Sequence, residues 1–210
     1  ENATGSGMHT HLSLWRDGKS LMGDAAQKWG LHQTANRFMA GVFRHLPALM
    51  AVTTPSVNSY RRIRPHAWSG AYQAWGIANK EAAIRLILEP KTSAPIHFEL
   101  KTMDASANPY LALGNILAAG LDGIKQGHTL PEPVEVDPGN FSTRERDERG
   151  IRALPTNLES SLENFVADNV LREAMQPAVA DAFVAVRRTE LEALHGHSFE
   201  DERLLLLERY

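Results

Sequence analysis

The chain has 210 residues, enough for one substantial hydrophobic core, and its 43 % hydrophobic and 22 % charged content is that of an ordinary globular protein. A formal charge of −3 gives no net positive field to attract nucleic acid or an anionic membrane, and the absence of cysteine excludes disulfides, zinc–thiolate centres and thiol nucleophiles. That absence of cysteine fits a cytoplasmic protein, and no apolar run approaches the roughly 18–20 residues that span a bilayer, so neither nucleic acid nor membrane is the expected partner.

The opening, Glu1-Asn2-Ala3-Thr4-Gly5-Ser6-Gly7, lacks an initiator Met and a signal-peptide pattern, and reads as part of something longer. Residues 8–14 alternate, with Met8, Thr10, Leu12 and Leu14 on one side and His9, His11 and Ser13 on the other, the period of a half-buried strand. Asp17-Gly18 predicts a turn. From Gln33 to Met50 the spacing of Phe38, Val42, Phe43, Leu46 and Leu49 predicts an amphipathic helix, bent or broken near Pro47. Residues 55–79 are polar, aromatic and basic, the composition of a long functional loop.

Two strands are expected next. Ala82–Leu88 is an apolar run interrupted by Arg85, and Ile96–Lys101 alternates, with Ile96, Phe98 and Leu100 inward and His97, Glu99 and Lys101 sharing the other face. Asn108-Pro109 opens a helix rich in Ala and Gly that Gly123 or Gly127 would end. The Pro-rich, charged stretch 128–157 predicts a linker or excursion. Three helices follow, over about 158–175, 177–195 and 199–209, the middle one with Val179, Phe183 and Val186 on its core face. The expected organisation is thus an α+β core over 1–127 (incomplete, its upstream strands absent), the excursion 128–157, and carboxy-terminal helices 158–210 packed on the same domain. Its sheet would be antiparallel and backed by helices.

Three constellations could carry chemistry. His9 and His11 at i and i+2 project from one strand face, where one imidazole could bind a metal and the other meet an anion. A solvated face that happens to carry histidines fits the same spacing. In His97-Phe98-Glu99-Leu100-Lys101 a carboxylate is flanked by His and Lys on one face; nitrogen and oxygen donors suit Mg²⁺ or Mn²⁺, and a cross-strand salt-bridge ladder is the alternative. The cations Arg61, Arg62, Arg64, Lys80 and Arg85 suggest an anionic ligand, and Arg85, inside an apolar run, needs a fixed anion if buried.

Taken in order, these segments resemble the glutamine synthetase family over nearly the whole chain. Gly5-Ser6-Gly7-Met8-His9-Thr10-His11-Leu12-Ser13-Leu14 is similar to its two-histidine strand, and Asn58-Ser59-Tyr60-Arg61-Arg62 to its "NSYKR" loop. Asn79-Lys80-Glu81-Ala82-Ala83-Ile84-Arg85 resembles "NRxxxIR", and His97-Phe98-Glu99-Leu100-Lys101 resembles "RxExR". Asp104-Ala105-Ser106-Ala107-Asn108-Pro109-Tyr110-Leu111-Ala112, with Ala118-Ala119-Gly120-Leu121-Asp122-Gly123, is close to "DxxANPYLA…AGLDGI". The resemblance implies an ATP-dependent ligase in which glutamate attacks ATP to give γ-glutamyl phosphate and an amine then displaces phosphate. It implies that His9 and Glu99 hold Mg²⁺ or Mn²⁺. His11, Ser13, Lys80, Arg85 and His97 would meet nucleotide and phosphates, and Thr4, Gly5, Arg62, Trp68 and Lys101 would meet substrate. Arg62 would grip the glutamate α-carboxylate, and Arg85 would stabilise phosphoryl transfer. Both stand as the catalytic candidates.

The departures from the family pattern are as informative. Thr4 replaces an Asn, and Lys80, His97 and Lys101 replace arginines, whose planar forks they do not reproduce. Trp68 stands where the ammonia-using enzymes carry a flap Glu. An indole cannot take a proton, but it can pack on an organic amine or attract its cation. The sequence therefore looks like a divergent branch that includes γ-glutamyl-amide synthetases and the synthetase-like domains of fungal developmental and plant nodulin proteins. The function it implies is γ-glutamyl-amide formation with an organic amine, in a homo-oligomeric ring. Glutamine synthetase proper, or an inactive binding or assembly domain, are the alternatives. The family's further metal-binding glutamates are expected upstream, so these 210 residues alone are expected to bind metal weakly and not turn over.

Overall fold

The computed structural model describes residues 7–207. The expected α+β class is what the chain adopts: a central four-stranded sheet with helices against it. Strand β1 (Thr10–Leu12) is shorter than the alternation predicts, but Thr10, Leu12 and Leu14 are half-buried while His9, His11 and Ser13 are exposed. Met8 breaks the pattern and is exposed. Asp17 and Gly18, both at positive φ (50° and 73°), join β2 (Trp15–Arg16) and β3 (Lys19–Ser20) in a two-residue hairpin, whose twist such residues match.

Helix α1 (Gln33–Thr53) continues through Pro47 without the expected break. Proline removes the donor that would have met the carbonyl of Phe43, four residues back. Gln73 Nε2 supplies it instead, at 2.7 Å. The expected loop 55–79 is more ordered than its composition suggests: α2 (Ser59–Arg62) carries the paired arginines, and β4 (Tyr72–Gln73) and β5 (Trp75–Ile77) follow. Strand β6 (Ile84–Leu88) lies beside β5 in parallel, and β7 (Pro95–Leu100) pairs antiparallel with both β6 and β1, giving the order β1-β7-β6-β5. The sheet is therefore mixed rather than purely antiparallel. Ile96, expected inward, is exposed at the strand's start, while Phe98 and Leu100 are fully buried.

Helix α3 (Pro109–Gln126) begins at the Asn108 cap, whose side chain accepts from the amides of Tyr110 and Leu111. It ends at Gly127 in the left-handed conformation (φ 69°). Gly123 instead lies at the crossing with α1: a Cβ there would sit 2.1 Å from the Arg37 carbonyl, and one on Gly41 2.1 Å from that of Ala119. Backbone meets backbone at that crossing, so the core between α1 and α3 is thin and tightly set.

Residues 128–157 run along the sheet rather than away from it. Val134 donates its amide to Trp75, Asn79 Nδ2 donates to the carbonyls of Val134 and Val136, and Trp75 Nε1 donates to that of Pro131. This stretch includes α4 (Thr143–Glu148), opened by a Ser142/Glu145 capping box, and β8 (Arg152–Ala153), paired with β4. The single helix expected over 158–175 is two, α5 (Leu158–Ala167) and α6 (Asn169–Met175), because Asp168 leaves the helix to cap the second one through the Leu171 amide. Helix α7 (Pro177–Leu194) buries Ala180 and Val184, not the expected Val179 and Val186, which are exposed; Phe183 is partly buried against the core. Helix α8 (Phe199–Leu207) rests on α2 through Arg61, which meets Glu202 and lies 4.7 Å over the Phe199 ring. No helix among the described residues is long and apolar enough to cross a membrane.

Candidate active site

Strand pairing makes the site. The registers His11↔Glu99 and Arg85↔Glu99 set one residue from each of β1, β7 and β6 in a row across the sheet, on the face opposite the Phe98–Leu100 core. Glu99 is the hub. Its Oε1 lies 2.6 Å from His9 Nδ1 and 3.7 Å from His11 Nε2. Its Oε2 lies 2.6 Å from Arg85 Nε and 3.5 Å from Lys101 Nζ. The Arg85 contact is an ion pair without hydrogen-bond alignment, so both atoms keep unfilled hydrogen-bonding capacity. The fixed anion that Arg85 needs is therefore a protein carboxylate.

The electrostatics follow from burial and proximity. Burial pushes the Glu99 carboxyl up, but Lys101, Arg85 and His9 outweigh it and hold the group below its ordinary range. Lys101, whose side chain is only 3 % exposed, is shifted down by burial and by Arg85, against the pull of Glu99. Burial and Lys101 lower His9 as well, so its imidazole is neutral at neutral pH. Facing an ionised carboxylate, a neutral ring must carry its proton on Nδ1, which leaves the Nε2 lone pair free. A neutral imidazole and an ionised carboxylate are the protonation states that a divalent ion requires; an ion taking the place of their direct contact would find in them part of a Mg²⁺ or Mn²⁺ coordination sphere, while Glu99 Oε2 stays turned to Arg85 and Lys101. They are not a whole one, because no group of three or more His, Asp or Glu among the described residues could hold a metal.

The other expected residues are placed as follows. His11 and His97 meet edge-on with ring centroids 4.9 Å apart, next to the hub, and burial and His11 lower the His97 pKa. Ser13 accepts a hydrogen bond from Trp15 Nε1 at 2.9 Å. Arg62 Nη2 donates to the Met103 carbonyl at 3.0 Å, its Nε is buried without a hydrogen-bond partner among the described residues, and a Cβ on Gly7 would sit 3.0 Å from its Nη1. Arg62 thus abuts the strand that carries His9. Burial lowers its pKa, countered by Asp104. Lys80 is exposed, and no hydrogen bond or ion pair joins it to Glu99. Trp68 is 62 % exposed and left-handed (φ 54°). Thr4 and Gly5 lie outside the described residues.

Two residues lie inside the quoted motifs but have no role assigned there. Asp104 is the buried carboxylate facing Arg62. Glu81 accepts the Trp68 amide with both carboxylate oxygens, each at 3.2 Å. Its only sequence signal is an acid placed between Asn79 and an apolar run. A separate groove of about 1050 Å³, lined by Arg44, His45, His128, Arg152 and Asp168 among others, contains none of the expected site residues.

Residues 1–204 match the family model described as glutamine synthetase, catalytic domain. The chain is 43 % identical over 194 residues to the gamma-glutamylpolyamine synthetase GlnA3 of Streptomyces coelicolor, covering 91 % of this chain and 42 % of that protein. It is 38 % identical over 207 residues to the glutamine synthetase of Halobacterium salinarum, covering 98 % and 45 %. Among solved structures it is similar to a novel glutamine synthase homolog (TM-score 0.80, 33 % identity, 97 % of this chain and 45 % of that one). It is similar also to GmaS in complex with ADP (TM-score 0.79, 33 % identity, 98 % and 46 %). The chain spans less than half the length of each of these relatives.

Proposed function

The chain belongs to the glutamine synthetase family by its catalytic domain, and from that premise we propose that it forms part of an ATP- and divalent-metal-dependent ligase joining the γ-carboxylate of glutamate to an organic amine. The observation that carries the reading is the hub: one ionised carboxylate in contact with a neutral imidazole on one side and with Arg85 and Lys101 on the other. Such a cluster meets concentrated negative charge, which is what phosphoryl transfer needs, since that chemistry rests on positioning and charge neutralisation.

In this reading His9 and Glu99 would hold Mg²⁺ or Mn²⁺, and the ion would neutralise the phosphates and polarise the transferred group. Arg85 steadies the γ-phosphoryl as glutamate attacks, with His11, Ser13, His97 and Lys80 toward the nucleotide. ATP as co-substrate is supported by the ADP bound to the similar GmaS. Arg62 holds the glutamate α-carboxylate, beside Thr4 and Gly5, and Lys101 lies by the acyl end. The amine displaces phosphate from γ-glutamyl phosphate, leaving the amide. Among the described residues His9 and Glu99 are the two proposed metal donors, so turnover is proposed for the whole protein, as a cytoplasmic homo-oligomeric ring, and not for these 210 residues alone.

Two things favour an organic amine over ammonia: the exposed indole of Trp68, and the likeness to a relative named for polyamine glutamylation. Phosphate release by the whole protein, with glutamate, ATP and either ammonium or a panel of alkyl, aryl and polyamines, tests this. We expect a polyamine or other organic amine to support faster turnover at lower concentration, and a clear preference for ammonium would overturn it.

A further inference from the structure

A chain of contacts leads from the hub to the loop that carries Trp68. Lys101 Nζ touches Glu99, and the Lys101 amide donates to the Ala83 carbonyl at 3.0 Å, so Lys101 sits against the turn that carries Glu81. The 63–70 loop lies directly on that turn, since a Cβ on Gly70 would be 2.7 Å from the Ala83 Cα. Glu81 is the tie between them: its amide donates to Asn79 Oδ1, and its carboxylate accepts the Trp68 amide with both oxygens. Among the described residues no Lys, Arg or His forms an ion pair with this half-buried carboxylate, and the one acid that influences it, Asp137, is engaged by His66 at 2.6 Å. Burial accordingly raises the Glu81 pKa, helped by Asp137 and countered by the Trp68 amide, His66 and Lys101. A half-buried carboxylate with no ion-paired cation among the described residues, held by the backbone amide of a residue whose indole is solvent-exposed and lying within the electrostatic reach of Lys101, is a complementary surface for an alkylammonium.

We propose that Glu81 and Trp68 together recognise the acceptor amine, the carboxylate taking its ammonium end and the indole covering its alkyl chain. This rests on the ligase reading above and adds to it the residue that selects a cationic amine. Attack requires the free amine, so the ammonium gives up one proton to water; its lone pair then forms the C–N bond as the acyl C–O bond to phosphate breaks, and the second nitrogen proton leaves with the phosphate. Glu81 holds the amine where that exchange happens.

The test compares 1,4-diaminobutane, a dication at neutral pH, with hydroxylamine, which is uncharged there, as acceptors for the whole protein. In Glu81→Gln the amide oxygen still accepts the Trp68 N–H, so the loop keeps its tie while the charge is lost. We expect KM for the diamine to rise about ten- to a hundred-fold, with KM for hydroxylamine and glutamate unchanged within about twofold. Trp68→Ala, truncating an exposed side chain, should raise the diamine KM about three- to tenfold and again spare hydroxylamine. An unchanged diamine KM in Glu81→Gln, or equal losses with both acceptors, overturns the assignment and leaves Glu81 as a loop tether. If the wild-type protein joins neither amine to glutamate, the ligase reading fails and takes this inference with it. A wild type that uses the diamine, with a variant that uses it equally well, removes Glu81 alone.

Discussion

A single carboxylate, Glu99, organises the candidate site because, among the described residues, it is the one anion within ion-pair distance of both Arg85 and the buried Lys101. Removing it leaves a buried ammonium and a half-buried guanidinium uncompensated. Glu99→Gln should therefore cost about 3 kcal/mol of stability in denaturant titrations, in addition to abolishing Mn²⁺ binding by calorimetry; a variant of wild-type stability would show that the cations are solvated. Arg62 presents the opposite case. Among the described residues its Nη2 has only the Met103 carbonyl and its Nε no hydrogen-bond partner, which leaves donors for a carboxylate ligand. Arg62→Ala should weaken glutamate binding by roughly ten- to a hundred-fold, the worth of one charge-assisted bond, with little change in Tm. Unfolding of that variant would make Arg62 structural.

Elements hold together here through backbone accommodations that individual side chains make possible. Pro47 survives inside α1 because Gln73, two elements later, fills the carbonyl it frees. Gln73→Leu should leave the Phe43 oxygen without that donor and cost about 1 kcal/mol, seen as a lower denaturant midpoint; no change would mean that water replaces the amide. The α1–α3 crossing allows no side chain at Gly41 or Gly123, where a Cβ would penetrate the opposite backbone. Gly41→Ala should destabilise by about 2–3 kcal/mol as the helices are forced apart. On α7 the core face is set by helical phase: Ala180 and Val184, four residues apart, are buried, while Val179 and Val186 fall off that face.

At the scale of the molecule, His45 joins three helical units. From α1 its Nδ1 meets Asp168, the cap of α6, at 2.5 Å, and its Nε2 meets Asp122 of α3 at 3.2 Å. Burial lowers its pKa, but the two aspartates outweigh this and the net shift is upward from 6.5. Its folded pKa is above the unfolded value, so the contribution is complete below pH 6.5 and is lost as pH rises through the higher folded value. Tm should therefore decline from pH 6 into the mildly alkaline range, and His45→Gln should flatten that slope. An unaltered slope would place the titration elsewhere.

What the sequence determined by itself was local. Alternation placed the histidines of β1 and the polar face of β7 opposite the apolar residues, Asp17-Gly18 and Asn108-Pro109 marked their turn and helix start, and the ordered motifs carried the family. It could not see which strands are neighbours. His9 and Glu99 are separated by 90 positions, and only the β1–β7–β6 register, set by burying Phe98, Leu100, Ile84 and Leu86, brings Glu99 against His9, His11 and Arg85. The same holds for the tie between Glu81 and Trp68, the parallel pairing of β5, the helix break at Asp168, and the carbonyl that lets α1 pass through a proline. Each depends on a partner distant in the chain, and such partners are chosen by the competition among buried surfaces in the folded molecule rather than by any spacing of residues along it.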